Sequence, residues 1–531
     1  MTQSYDAVVV GAGPNGLVAA NMLVDSGWSV LLLEASETAG GAVRSAADHP
    51  APGYTADLFS AFYPLAAASP VVEAMQLQDH GLRWVHAPYV LAHAMDGGRG
   101  VLLSRDVDET AASVEEHGKG DGEAWRRWAA RWAEVEEPVL AALLNPFPPV
   151  RPGLALGRRV GVNRALRLAR TALLPTRRFT EEEFAGEGAA LLIAGNAMHT
   201  DLSPESAGSA LYGLLLAMLG QSHGFPVPEG GAGRLTDALV SRLRSRGGEL
   251  RCASPVTSVM LGPNGATGVV VAGGEQISAG RGVLADVPAP LLYRSLLGEH
   301  HLSPALRRDL DRFHWDNATI KVNWATSEPI PWTSQEARRA GTVHLGGNLD
   351  DLTRTAADLA TSTVPRRPFI LLGQMTTADP TRSPAGTESV WAYAHLPHRG
   401  SGSPEVVADF VASIEAEVER QAPGFRDVVI GRTVQGSADL EAADPSLLGG
   451  ALNAGTAGLH QQLVLRPTPG LGRADTPFPG LFLAGASAHP GGGVHGACGA
   501  NAARAALLRA RVGPRVYDAT VGAAQRHLSR S

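Results

Sequence analysis

YDAVVVGAGPNGLVAANMLVDSGWSVLLLEAS, residues 5–36, decides the fold. It opens on an apolar run, Ala7 to Val10, breaks at a glycine turn, continues through small residues at helical spacing, and closes on a second apolar run that ends at Glu34. Strand, turn, helix and strand in that order make a βαβ unit with buried strands. The turn is Gly11-Ala-Gly13-Pro14-Asn15-Gly16. Gly11 makes the tight bend, Gly13 lets backbone approach a pyrophosphate, and Gly16 lets the helix pack closely on the strand. The helix N-terminus then faces the phosphates. Glu34, followed by Ala35, stands 18 residues beyond Gly16, where a carboxylate accepts hydrogen bonds from ribose hydroxyls and disfavours a 2′-phosphate. FAD or NAD fits this pattern, and NADP does not.

The rest of the composition narrows the setting. A chain of 531 residues with 44 % hydrophobic content buries a large core and is long enough for more than one domain. With 18 % charged residues and a formal net charge of -7, there is no electrostatic reason to expect nucleic acid as a partner. Cys252 and Cys498 are the two cysteines, so neither a disulfide framework nor a CxxC pair nor a thiolate metal site is expected. Redox chemistry would have to come from a cofactor. His300 and His301 are adjacent, without the i, i+4 spacing that puts two imidazoles on one metal. The start lacks a basic segment followed by a long apolar one, and no apolar run is long enough to span a bilayer, so a cytoplasmic protein is expected.

Further motifs extend the reading along the chain. ASETAGGAVRS (35–45) adds the pair Gly40-Gly41 and then Arg44. GLFLAGASAHPGGGVHGACGANAARAALL (480–508) reads as a short strand, a glycine-packed turn and an alanine-rich helix near the far end. Between them lie ADLFSAFYP (56–64), GFPVPEGGAGRLTDAL (224–239) and TADPTRSPAGTESVWAY (377–393), and the longer run LRPTPGLGRADTPFPGLFLAGASAHPGGGVHGACG (465–499) leads into the last stretch. In this order they resemble the flavin-dependent amine oxidase and carotenoid desaturase superfamily, within it the phytoene desaturase branch and the group typified by pyridine nucleotide-disulfide oxidoreductase domain-containing protein 2.

The resemblance implies FAD, a discontinuous Rossmann-like FAD-binding domain and a second, α+β substrate domain of mixed sheet and helices. Residues 1–75, 225–300 and 455–531 are then the three segments of the FAD domain, and 76–224 with 301–454 build the substrate domain. Residues 254–286 read as period-2 strands joined by PNG and GG turns; the resemblance puts the first of them, near Val256, against the adenine. It also has the C-terminal strand bring Gly485 and Ala486 to the phosphate and ribityl region, with a helix starting near Val494. That helix end would aim N–H groups at the flavin and stabilise the charge of its reduced form. Gly493 and its neighbours leave room for the ring system. Arg44 would supply a forked donor to phosphate. Ala486 replaces the aspartate many flavoproteins carry after the glycine, so no carboxylate is expected on the ribityl chain.

For chemistry, ATIKVNWATSEPIPW (318–332) resembles the amine oxidase strand whose lysine holds a water beside flavin N5. Alternation puts Ile320, Val322 and Trp324 on one face and Lys321, Asn323 and Ala325 on the other, so Lys321 reaches either solvent or a cavity. His489 and His495 flank the glycine turn and are candidate acids or bases, with loop-bonded imidazoles as the alternative. Cys498 at small-residue spacing reads as core, and Phe62 and Tyr63 as cavity wall or core. Residues 151–178 hold eight arginines and no acid, interleaved with leucines. Such a segment suits peripheral contact with an anionic membrane; a solvated arginine face over a core helix is the alternative. The expected activity is hydride removal from a largely apolar small molecule to flavin, with oxygen, quinone or another acceptor taking the electrons onward. An amine or amino-acid oxidase, and a flavin-binding interaction protein with little turnover, are the competing readings.

Overall fold

The computed structural model describes residues 3–398 and 402–528. Two seven-stranded sheets, with two small two-stranded ones beside them, form the sheet framework of the described residues. The first is built around Gln3–Val10, with Val30–Leu33 and then Glu249–Arg251 on one side and Gln276–Ala285 on the other, all parallel. Gln276–Ala285 is shared along its outer edge. Its first half pairs antiparallel with Gly265–Val271, and its second half pairs parallel with Leu481–Leu483. Val256–Gly262 completes the antiparallel side. Strands from residues 1–75, 225–300 and 455–531 therefore meet in one sheet.

The valines and leucines of the opening stretch explain its centre. Ala7 and Val9 point into one core, together with Leu17 and Leu23 of the helix Pro14–Asp25. Val8 and Val10 point into another, with Leu292 and Tyr293. Burial on both faces is what a near-continuous apolar run in a parallel sheet provides. The helix Ala497–Val512 lies beside Pro14–Asp25, and a Cβ on Gly499 would sit 1.9 Å from the Asn15 carbonyl oxygen. The two ends of the chain touch at backbone level.

The second sheet runs Val429–Gln435, Ala318–Thr326, Glu388–Leu396, Ile370–Gln374, Ala340–Leu345, Tyr89–Ala94, Gly100–Leu103, antiparallel except where Ala340–Leu345 lies along Tyr89–Ala94. Its strands come from residues 76–224 and 301–454. Ile320, Val322 and Trp324 face Phe410, Ile414 and Val418 of the helix Pro404–Gln421. On the other face Trp391 and Leu371 share a core with Leu191 and Ile193 of Glu187–Met198 and Ala217 of Ser209–Ser222.

Residues 54–60 bolt the two sheets together. The Tyr54 hydroxyl donates to the Thr326 carbonyl at 3.0 Å, and the Ser389 hydroxyl donates to that of Thr55 at 3.1 Å. Asp57 and Arg382, both fully buried, form an ion pair. Asp57 also accepts from the Ser45 hydroxyl and the Ala232 N–H, so its carboxylate is satisfied from several directions.

The arginine-rich segment corrects one expectation. Its helix, Val150–Leu173, buries no residue and kinks at Gly161, where φ is 75°. Arg159 and Arg164 pair with Glu137 and Glu134 on the neighbouring helix Asp121–Leu144. These arginines reach toward the protein, while Leu154, Val162 and Leu166 stand 53 %, 74 % and 64 % exposed. A leucine face sunk into a core is therefore not what forms. Among the described residues no helix is long and apolar enough to cross a membrane.

Candidate active site

A cavity of about 600 Å³ runs from the end of the first sheet to the inner face of the second. At one end Glu34, Ala35 and Val256 line it; Gly11, Gly13, Pro14, Asn15 and Gly41 follow; then come Gly485, Ala486, Gly493 and Val494; Lys321, Trp391, Tyr393 and His395 lie on the second sheet. Segments far apart in sequence thus share one continuous wall.

The glycine turn is shaped by what a side chain would strike. Gly11 has φ of 92°, and a Cβ on Gly16 would lie 1.9 Å from the Gly11 carbonyl oxygen. Gly16 therefore acts in packing and does not line the cavity. Its N–H donates to Asp286 Oδ2 at 2.7 Å. Gly41, with φ of 52°, brings its backbone against Gly13, where a Cβ would come 3.1 Å from the Gly13 Cα. Gly40 stays behind the wall and donates its N–H to the Ala12 carbonyl at 2.9 Å. Glu34 accepts from the Ala12 N–H at 2.8 Å and the Ser36 N–H at 2.9 Å, which fixes its carboxylate at the strand end with lone pairs left for ribose hydroxyls. A bare backbone cradle at a helix N-terminus and an acid beside it are the donor and acceptor set an adenine dinucleotide requires.

Four of the sequence expectations change on inspection. Arg44 does not line the cavity: its guanidinium donates to the carbonyls of Gly41 at 2.9 Å and Ala443 at 2.7 Å and lies over the Phe59 ring, so it staples the loop instead of reaching for phosphate. The C-terminal helix begins at Ala497 with Gly496 as its N-cap, so Val494 lies in the preceding loop. His495 is buried behind that loop, its Nδ1 accepting the Ala497 N–H at 3.0 Å, and burial pushes its pKa down to about 4. It is a neutral helix cap, not a cavity base. His489 packs edge-on against Phe147 at 6.1 Å, also away from the cavity, and burial pushes it to about 4. Cys498 is core, donating weakly to the Ala488 and Gly491 carbonyls, with its thiol pushed up to about 12 by burial.

Lys321 is inside. The strand alternation holds, and the ammonium donates to the carbonyls of Asp57 and, at 2.7 Å, Phe59, 5.4 Å above the Trp391 ring centre. Loss of hydration pulls its pKa down to about 7; the Asp57 carboxylate offsets part of this and Arg382 adds to it. Phe62 and Tyr63 line the cavity as expected.

Several participants carried no motif. Asp286, just after Gln276–Ala285, is part-buried beneath the glycine turn and lines the cavity, and loss of hydration there raises its carboxyl to about 7. Arg466 is buried and gathers the carbonyls of Asn453, Thr456 and Ala486, holding the C-terminal loop in shape. Trp391, Tyr393 and His395 share the cavity face of their strand by simple period-2 alternation of WAYAH, the one signal that could have found them.

Comparison with known proteins agrees with this geometry. The model of the family "Flavin containing amine oxidoreductase" matches residues 15–390. Pyridine nucleotide-disulfide oxidoreductase domain-containing protein 2 of Rattus norvegicus is 29 % identical over 94 % of this chain and 92 % of its own. A lycopene-forming phytoene desaturase of Pseudescherichia vulneris is 25 % identical over 94 % and 98 %. Among solved structures, a putrescine oxidase triple mutant superposes with a TM-score of 0.61 at 17 % identity, covering 97 % of this chain and 100 % of that one, which speaks to the fold alone. The chain belongs to the flavin containing amine oxidoreductase family and is an FAD-dependent oxidoreductase.

Proposed function

We propose that this oxidoreductase removes a hydride from a carbon of a largely apolar organic substrate and that, with loss of a proton from the neighbouring atom to solvent or to a base at the cavity wall, a new double bond is left. The observation that carries this reading is the continuity of the dinucleotide trough with a chamber walled by Phe62, Leu216, Phe225, Leu371 and Trp391. Bound FAD supplies the hydride acceptor and the electron sink. Gly11, Gly13, Glu34 and Gly41 would hold its nucleotide half, and Gly485, Ala486, Gly493 and Val494, which line the same cavity, would face its other half. The apolar wall excludes water and lets a hydrocarbon body lie across the second sheet. Lys321, which changes charge near neutral pH, holds a proton or a water at the same wall.

Similarity to phytoene desaturases supports a desaturase-type substrate. An amino-acid substrate would need a cation for its carboxylate; among the described residues lining the cavity Lys321 is the one lysine and is already held by the carbonyls of Asp57 and Phe59, and no arginine joins it. Oxygen, a quinone or another acceptor completes the cycle.

The same reading gives the helix Val150–Leu173 a role. Its outward Leu154, Val162 and Leu166, with Arg151, Arg158 and Arg167 beside them, would dock on an anionic bilayer from which a lipophilic substrate is drawn. Salt-sensitive binding to anionic vesicles, lost in Leu154→Glu/Leu166→Glu, is expected; equal binding to neutral vesicles would remove this role.

The test of the activity is anaerobic mixing of the holoenzyme with polyenes, amines and hydroxy compounds while flavin absorbance is followed. Bleaching by a largely apolar compound is expected. Bleaching by amines alone, with ammonia released on turnover, would replace this reading with an amine oxidase. No bleaching across the panel would leave a flavin-binding protein with little turnover.

A further inference from the structure

The C-terminal glycine loop has a positive charge beneath it. Arg466 is 1 % exposed and does not line the cavity. Its guanidinium donates to the Ala486 carbonyl at 2.7 Å, to that of Thr456 at 2.9 Å and to that of Asn453 at 3.0 Å. Ala486, Asn453 and Ala454 are all cavity wall. A Cβ on Gly491 would lie 3.2 Å from the guanidinium carbon, so the glycine turn wraps the group directly.

The hydrogen bonds of Arg466 all go to carbonyls, and among the described residues it has no ion-pair partner. Asp316 acts on it from beyond ion-pair reach; Cys498 and Tyr212, which also face it, are held neutral by burial. Burial lowers the pKa of Arg466 itself, yet a guanidinium stays charged in proteins. Asp316 accepts the N–H groups of Asn453 at 2.7 Å and Gly455 at 3.1 Å, so acid and guanidinium clamp one loop through its two kinds of backbone group. Between them Ala454 is held at φ of 49°, a conformation alanine rarely adopts. The helix end expected to bring positive charge is set back: Ala497–Val512 starts outside the cavity wall, and its first N–H is taken by His495. His489 and His495 are neutral, the charge of Arg466 adding to the effect of burial.

We infer that Arg466 supplies the positive charge that favours reduced over oxidised flavin, acting on the ring system through the Ala486 and Asn453 peptides. This rests on the placement of the flavin half against Gly485, Ala486, Gly493 and Val494, and not on the identity of the substrate. Two electrons and one proton convert FAD to FADH⁻, which adds one negative charge beside the loop. A buried guanidinium without a counter-ion is costly, and the reduced cofactor provides one where the low dielectric makes the attraction strong. Its carbonyl partners fix the charge in place, so little has to reorganise when the flavin is reduced. Arg466 touches neither cofactor nor substrate and is a positioning residue.

The experiment is an anaerobic equilibrium reduction of the FAD-loaded protein beside a reference dye at one fixed pH, with no substrate present. In the wild type reduced FAD is expected to bind about tenfold more tightly than oxidised FAD, which sets the bound two-electron couple about 30 mV above free FAD. Arg466→Gln keeps donors for the carbonyls and removes the charge; it should lose that preference, lowering the potential by about 30 mV. Arg466→Lys keeps the charge and loses the fork, and should hold the preference to within about threefold of wild type.

An Arg466→Gln potential equal to that of wild type, with both forms of FAD bound more weakly, would show that the arginine only shapes the loop and would overturn the inference. So would an Arg466→Lys potential that falls as far as that of Arg466→Gln. If Arg466→Gln does not fold around FAD, the wild type decides alone: a bound couple at or below free FAD overturns the inference. A wild type that takes up no FAD removes the cofactor placement and the inference with it, whereas failure of every apolar substrate leaves these potentials untouched.

Discussion

The ammonium of Lys321 donates to the backbone carbonyl of Phe59 at 2.7 Å, which ties a strand of the second sheet to the loop joining the two sheets. The same ammonium lines the cavity and ionises near pH 7. Lys321→Met keeps the length and removes the charge. The variant should still bind FAD, and reaction of the reduced enzyme with oxygen should slow by about tenfold or more. In the wild type that rate should change around pH 7; in the variant it should be flat. Stopped-flow mixing across pH decides this, and an unchanged rate would mean that Lys321 is structural.

Asp286 makes a prediction about stability. Burial raises its carboxyl from the ordinary 3.8 to about 7. Between those two values the folded state keeps a proton that the unfolded chain has released, so its contribution falls as pH rises through that window. Asp286→Asn keeps an acceptor for the Gly16 N–H and removes the titration. The apoprotein variant should be more stable than wild type above pH 7, on the order of a few kcal/mol, with the gap closing toward pH 4. Denaturant unfolding at several pH values measures it; a gap that does not vary with pH would show that Asp286 is not the titrating group.

Gly499 tests the meeting of the chain ends. An added Cβ lies 1.9 Å from the backbone oxygen of Asn15, within the helix that follows the glycine turn. Gly499→Ala must push the two helices apart, with an expected loss of about 1–3 kcal/mol and weaker FAD binding. Gly157→Ala, where a Cβ meets nothing within 4 Å, is the control and should be neutral or slightly stabilising. Equal melting temperatures and equal FAD affinity in the two variants would count against close packing at Gly499.

These contrasts indicate what the sequence made legible. The βαβ unit was readable because glycine spacing, buried apolar runs and a terminal acid each constrain the same backbone, and Gly11, Gly13, Glu34 and Gly41 stand where that logic puts them. Lys321 was readable as one face of an alternating strand, but not as buried: alternation says which side a residue takes, not what covers that side. His489 and His495 looked like cavity residues because they flank a cavity loop. The loop turns them away from the cavity into the protein interior, and local sequence does not record that turn. Arg44 was assigned to phosphate by its place after two glycines, yet its partner Ala443 lies 399 residues away. Asp286 escaped notice for the same reason, since it meets the Gly16 N–H only once two distant segments fold together.

The central claim is that both ends of this chain grip a single FAD. Titration of the apoprotein with FAD, followed by quenching of flavin fluorescence, tests it most directly. Saturation at one FAD per chain is predicted, with binding weakened about tenfold or more in Glu34→Ala, which removes the ribose acceptor and leaves the Ala12 and Ser36 N–H groups unpaired. A protein that takes up no flavin, or binds it equally well without Glu34, would contradict the account.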